Sequence, residues 1–207
     1  MTDLYKSMSE LTRKEKEWLI ETQDRNSDVI VTAIHGGGIE AGTTELALLT
    51  AELSNTNYFG FKGLKSSNNS QLHVTSTNYD VVSLLSWNQK MNRTISLHGY
   101  ADSNKSNSYI GGLDKELIRL ITENLKKEGF NIEQAPQNLA GTEPNNITNK
   151  NNIGAGVQIE LSTLQRKELF NNKDFGKNSR EDKNNWSENM YLYANAINDA
   201  IEKCERH

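Results

Sequence analysis

Cysteine is almost missing from this chain: of 207 residues only Cys204 carries a thiol. No intrachain disulfide can form and a cysteine-based zinc site is excluded, so any bound metal must use imidazole and carboxylate. Histidine is scarce as well. Four are present, and His207 is the terminal residue, which leaves His35, His73 and His98 as candidate ligands. Basic charge is not in excess either, with 23 Lys and Arg against 27 Asp and Glu for a net charge of −4. The cations are scattered and no basic stripe with interleaved aromatics occurs, so no nucleic-acid partner is expected. No apolar run approaches the roughly 20 residues of a membrane span. The N-terminal MTDLYKSMSELTRKEKEW is charged and has no apolar signal region. We expect a soluble protein made in the cytoplasm with no membrane partner, any action outside the cell following lysis.

What is present is enough for one sizeable domain, residues 1–207, since the buried fraction of a chain rises with its length. The most informative segment is AIHGGGIEAGT, residues 33–43. A buried-type strand, Val29 to Ile34, runs directly into His35, three glycines and Glu40. The strand delivers an imidazole to a sheet edge, and glycines permit a sharp turn through positive φ that folds Glu40 back toward it. Imidazole and carboxylate converging at a strand end make two thirds of a catalytic zinc site. The plain alternative is a tight turn before a helix, with His35 merely hydrogen-bonded.

Patterning along the chain predicts alternating strands and helices. Residues 9–23 read as an amphipathic helix through Leu11, Trp18, Leu19 and Ile20. A helix over 43–53, capped by Thr43 or Thr44, follows the glycine turn. Short strands are expected at 58–61 and 72–75, a helix over 79–90, and a strand over 93–97 that ends on His98-Gly99. Asp114 heads a periodic helix over 115–128, with a short strand at 130–133 beyond it. Residues 136–154 form a long asparagine-rich loop, of a kind that is usually functional or mobile. The last strand, 156–161, carries Glu160, and helices over 163–170 and 186–205 flank a polar stretch. This order indicates a single-domain, three-layer α/β/α fold with an open, mostly parallel mixed sheet.

In open α/β sheets, sites form beyond the carboxyl ends of the strands. His35, His98 and Glu160 all sit there. The reading is a zinc site of His35, Glu40 and His98, two histidines and a carboxylate being a ligand set of zinc hydrolases. Glu160, the lone acid of an apolar strand, is the candidate general base, because an unpaired buried Glu serving no purpose would be costly. Two alternatives stay open. His73 competes with His98, although its place at the start of the 72–75 strand is the wrong end. Glu45 could replace Glu40, although it also suits the N-terminus of its helix.

The blocks AIHGGGIEAGTTELA, LHVTS, SLHGY followed by YIGGLD, and NNITNKNNIGAGVQIELS together resemble the phage and Bacillus zinc-dependent poly-γ-glutamate hydrolases over about residues 28–170. The resemblance implies a carboxypeptidase-like core that cleaves γ-glutamyl amide bonds of poly-γ-glutamate. It implies zinc on His35, Glu40 and His98, and Glu160 as base. One departure matters: where such sequences usually read Asn-Ile-x-Asn-Arg, this chain has Asn146-Ile147-Thr148-Asn149-Lys150. A lysine supplies a point charge without the bidentate fork. Asn149, Lys150 and Arg166 are therefore the candidate contacts to substrate, with Arg166 equally readable as a solvated helix charge. The chain is expected to act as a monomer. Other readings are a zinc amidase acting on cell-wall or small peptides, or a non-catalytic phage protein that binds an anionic ligand or nucleic acid.

Overall fold

The computed structural model describes residues 3–206. Seven strands form one open mixed sheet in the order β1-β3-β2-β4-β7-β5-β6. They are β1 (Trp18–Gln23), β2 (Val29–Gly37), β3 (Asn57–Gly63), β4 (Arg93–Tyr100), β5 (Ser108–Gly112), β6 (Ile132–Gln134) and β7 (Val157–Ser162). The central strands β3, β2, β4 and β7 run parallel, whereas β1 lies antiparallel to β3 and β5 antiparallel to β7. The helices are α1 (Met8–Lys14), α2 (Thr43–Leu53), α3 (Val82–Asn88), α4 (Lys115–Lys127), α5 (Thr163–Glu168), α6 (Lys177–Glu181) and α7 (Glu188–Glu205).

β2 shows why three layers form. Val29, Val31 and Ala33 point into the core under α2, α4 and α7, while Ile30 and Ile34 point into a second core with residues of α1 and α3. Successive side chains alternate between faces, so a strand covered on both sides reads as a continuous apolar run. The three-layer fold with an open mixed sheet is the one expected.

Several elements differ from expectation. The helix predicted over 9–23 ends at Lys14, where Glu15 takes extended backbone, and Trp18–Gln23 becomes edge strand β1. Trp18 and Ile20 pack on the second core at a spacing of two, and Trp18 stacks on Phe61 at 5.7 Å. Residues 72–75 are not a strand: a 3-10 turn over Asn69–Leu72 leads into extended backbone and a second such turn over Ser76–Asn78. Strand β5, which the pattern did not suggest, is held between β7 and β6. The N-cap of α2 is Gly42 rather than Thr43 or Thr44. The Thr44 hydroxyl instead accepts the Gly37 N–H at 2.7 Å and shapes the glycine turn.

Glu45 is not turned toward the histidines. It is buried against Arg180 of α6, with Oε1 3.3 Å from Nε. Burial pushes its carboxyl up to about 7 against the pull of Arg180. The pair ties the polar 171–185 stretch to α2. Neither Glu45 Oε2 nor Arg180 Nε completes a hydrogen bond, and a carboxyl near 7 is only about half ionised at neutral pH. Glu45→Ala should therefore cost about 1–3 kcal/mol, the scale of leaving a buried polar partner unsatisfied. A loss below about 1 kcal/mol in denaturant unfolding would show the pair to be dispensable.

Candidate metal centre and cleft

The turn after β2 brings the first two donors together. Gly37 has φ +64, and a Cβ there would stand 2.5 Å from the Gly63 carbonyl oxygen, so no other residue fits without strain. It is the one member of the glycine triplet with positive φ. Glu40 comes back to place Oε1 3.3 Å from His35 Nδ1. Its other oxygen accepts the Gly99 N–H at 2.9 Å. That bond fastens the turn to the end of β4, where His98 Nδ1 lies 3.2 Å from His35 Nδ1 and 3.7 Å from Glu40 Oε2.

A third imidazole joins them. His73 Nε2 is 4.0 Å from Glu40 Oε1, and its ring centroid is 4.0 Å from that of His35. His35, Glu40 and His73 offer donor atoms that all lie within 4.8 Å of one another. The strand expected at 72–75 does not form, so His73 does not lie at the amino end of a parallel strand. The irregular chain carries it to the cleft instead.

The outward nitrogen of each ring has its own partner. His35 Nε2–H donates to the Val74 carbonyl at 2.8 Å, His98 Nε2 pairs with Ser96 Oγ at 2.9 Å, and His73 Nδ1 pairs with Asp3 Oδ1 at 2.7 Å. With the outer nitrogen donating, the inner one presents its lone pair to the shared point, the arrangement of metal-ligating histidines. Zinc bonds of 2.0–2.2 Å set tetrahedral donors about 3.3–3.6 Å apart. The two Nδ1 atoms are 3.2 Å apart, Glu40 Oε1 is 3.3 Å from His35 Nδ1 and Glu40 Oε2 is 3.7 Å from His98 Nδ1, each within about 0.1 Å of that edge. The donor set fits zinc.

Charge in the site follows from burial and these neighbours. Burial alone would depress His35, but the Glu40 carboxylate outweighs it and the net direction is up. Burial works to raise Glu40, yet His35 first, then His98 and His73, hold it at about 2. Burial takes His98 down to about 3, against Glu40, so its imidazole is neutral at ordinary pH.

Glu160 stands directly beside His98 in the pairing of β7 with β4. It is 6% exposed, so it is a buried carboxyl and not a solvated strand end. With the protein's own charges, burial pushes its carboxyl up to about 8, Glu40 adding to the rise while His35, Gln158 and Arg166 oppose it. Gln158 Nε2 donates to Glu160 Oε1 at 3.0 Å, and Asn146 Nδ2 donates to Gln158 Oε1 at 2.9 Å. A chain of amides thus fixes the carboxyl from the loop that overlies it.

The cleft above these residues has a volume of about 770 Å³. His35, Glu40, His73, His98, Glu160 and Arg166 all line it. Arg166 is buried rather than solvated: it lies flat beneath Gly99, where a Cβ would come within 2.5 Å of Nε. Its guanidinium donates to the carbonyls of Ala41, Leu161 and Tyr100 and to Thr163 Oγ1. A guanidinium has five N–H groups, so these contacts leave one over.

A sequence profile described as poly-gamma-glutamate hydrolase matches residues 4–196. The chain belongs to this family. YoqZ, an SPbeta prophage-derived UPF0714 protein of Bacillus subtilis (strain 168), is 43% identical over 174 residues, which are 82% of this chain and 62% of YoqZ. The chain thus spans less than two thirds of that relative. YmaC of the same bacterium, also a UPF0714 protein, is 33% identical over 206 residues, covering 97% of this chain and 85% of its own. The solved structure of a bacteriophage poly-gamma-glutamate hydrolase superposes with a TM-score of 0.95 at 36% identity, covering 99% of each chain. A zinc-free structure of YndL superposes at 0.89 with 36% identity, covering 98% of this chain and 99% of that one.

Two residues suggested by the resemblance to poly-gamma-glutamate hydrolases are not in the cleft. Asn149 spends its amide on the loop itself, donating to the carbonyls of Gly141 and Glu143 and accepting the Gly156 N–H. Lys150 is followed by Asn151, whose Nδ2 donates to Thr94 Oγ1 at 3.2 Å, and Asn152, whose N–H donates to the Met91 carbonyl at 2.9 Å. Both anchors lie toward the amino end of β4. Thr94 precedes His98 by four residues, about 13 Å along a strand, so the chain that follows Lys150 runs below the site, and Lys150 is not among the residues that line the cleft.

Sequence reasoning missed Asp3, Ser96, Asn146 and Gln158. Two of them carried a signal, since Ser96 and Gln158 each precede a site residue by two and so share its face of the sheet. Asp3 is 70 residues from His73 and carried none.

Proposed function

We propose that this chain is a zinc-dependent hydrolase of the γ-glutamyl amide bonds of poly-γ-glutamate, acting as a monomer. His35, Glu40 and His98 hold the metal. The observation that carries this reading is the convergence of those three donors beside a buried carboxylate, within a chain of this family. Zinc bound there supplies Lewis acidity, polarising the amide carbonyl and acidifying water.

The protein's own groups supply the rest. Glu160 takes the proton of the attacking water and passes it to the departing amine. Gln158 occupies one carboxylate oxygen, which turns the other toward the cleft. Positive charge brought into the site lowers the Glu160 carboxyl and keeps it in its proton-accepting form at neutral pH. Arg166, with one N–H to spare and its plane fixed by backbone carbonyls, binds a carboxylate of the polymer. The local field around a site matters more for a polyanion than the net charge of −4.

No helix among the described residues is long and apolar enough to cross a membrane. We place the action on capsule polymer outside the cell, reached after lysis.

The test is metal analysis of the purified chain coupled to turnover of the polymer. About one zinc per chain and chelator-sensitive release of γ-linked fragments are expected. Arg166→Gln should raise KM about tenfold, the scale of one charge-assisted hydrogen bond, while Lys150→Ala leaves the kinetics unchanged. Absence of turnover in a zinc-loaded preparation rules out the substrate. An unaltered KM in Arg166→Gln rules out the clamp.

A further inference from the structure

The N-terminal segment reaches the site through one residue. Asp3 Oδ1 sits 2.7 Å from His73 Nδ1, and Asp3 Oδ2 accepts the Thr75 N–H at 2.7 Å. The carboxylate therefore holds both the ring and the backbone two residues on. With Nδ1–H committed to Asp3, Nε2 keeps its lone pair, and that nitrogen faces Glu40 and the His35 ring. Carboxylate, imidazole and metal in this sequence form an arrangement in which the carboxylate sets the tautomer and strengthens the ligand.

We propose that His73, oriented by Asp3, is a fourth nitrogen donor to the metal held by His35, Glu40 and His98. The inference rests on the zinc reading above and extends it to two residues that the His35, Glu40 and His98 site leaves idle. Three observations carry it. The donor atoms of His35, Glu40 and His73 lie within 4.8 Å of one another. His73 has an outward partner, as His35 and His98 do. Its side chain is 25% exposed, against 3% for each of the other two, so it is the donor at the mouth of the site. Catalytic zinc can expand to five-coordination, so a fourth protein donor still leaves room for water. Asp3 is a positioning residue, acting through the ring.

The experiment is competition for zinc against a chromophoric chelator, with the full-length chain and its His73→Gln and Asp3→Ala variants. Visible absorption of the cobalt-loaded proteins reports the coordination shell directly. Both variants should still bind one metal but about 10–100-fold more weakly, and His73→Gln should alter the cobalt spectrum. Circular dichroism checks that each variant is folded. Asp3→Ala reads the effect through the orientation of the His73 ring and leaves every proposed donor atom in place. Zinc affinity within twofold of the parent in both variants, with an unchanged cobalt spectrum, overturns the proposal while leaving the three-donor site intact. A parent chain that binds no zinc overturns the reading beneath it instead.

Discussion

Glu160→Gln should bind zinc as the parent does and lose at least ~10²-fold in kcat, the scale for removing a general base. The amide keeps the size of the carboxyl and its hydrogen-bonding shape, but cannot accept a proton from water. The site supports this separation of roles. Glu160 is buried and held by Gln158, and it faces His98 across one strand pair. Zinc stoichiometry and hydrolysis rate on this single variant distinguish three cases. Full metal with almost no turnover identifies the base. Joint loss of metal and activity would make Glu160 a ligand, and no change in either would make it structural.

The second large effect belongs to His98. His98→Ala removes a donor that lies 3.2 Å from His35 Nδ1 and 3.7 Å from Glu40 Oε2. It also leaves Ser96 without its partner on the imidazole. Zinc should be lost under dialysis, and activity should fall with it to the chelated level. His73→Ala should keep the metal, more loosely held. If His73→Ala strips the zinc while His98→Ala retains it, the principal ligands are His35, Glu40 and His73, and the assignment reverses.

The sequence displayed those parts of the fold whose own pattern decides their structure. The helix Thr43–Leu53 has the bounds expected of it, and Asp114 caps α4 by accepting the Leu117 N–H. The parallel strands were legible because they are buried on both faces. What escaped was settled by partners distant in the chain. Leu11, Trp18, Leu19 and Ile20 suit a helical stripe, but Trp18 and Ile20 also suit a strand, and the open edge of β3 decides between them. Strand β5, SYIGG, has two glycines and exists because β7 offers it a neighbour.

The site divides the same way. His35, Glu40, His98 and Glu160 could be singled out because strand ends are where α/β sheets place chemistry, and the fold brings the four side by side. His73 was misplaced because its position depended on a strand that does not form. Asn149 and Lys150 were proposed from a block of sequence whose irregular course no local pattern reveals. Arg166 was ambiguous on a helix surface until the approach of Gly99 showed it to be covered.

The register between β4 and β7 has a consequence for change by mutation. His98 and Glu160 are neighbours across two parallel strands, whose axes lie about 4.8 Å apart. A slip of one residue in β7 would turn Glu160 to the opposite face of the sheet. The floor of the cleft is therefore digital: it is in register or it is not. The walls are graded, since the turns at 69–78 and the loop at 136–146 cross the cleft without belonging to the sheet. Insertions and exchanges there can reshape what enters while the reacting groups keep their spacing. Retargeting this scaffold to another γ-linked or branched amide is a problem of rebuilding two loops on a frame that must not move.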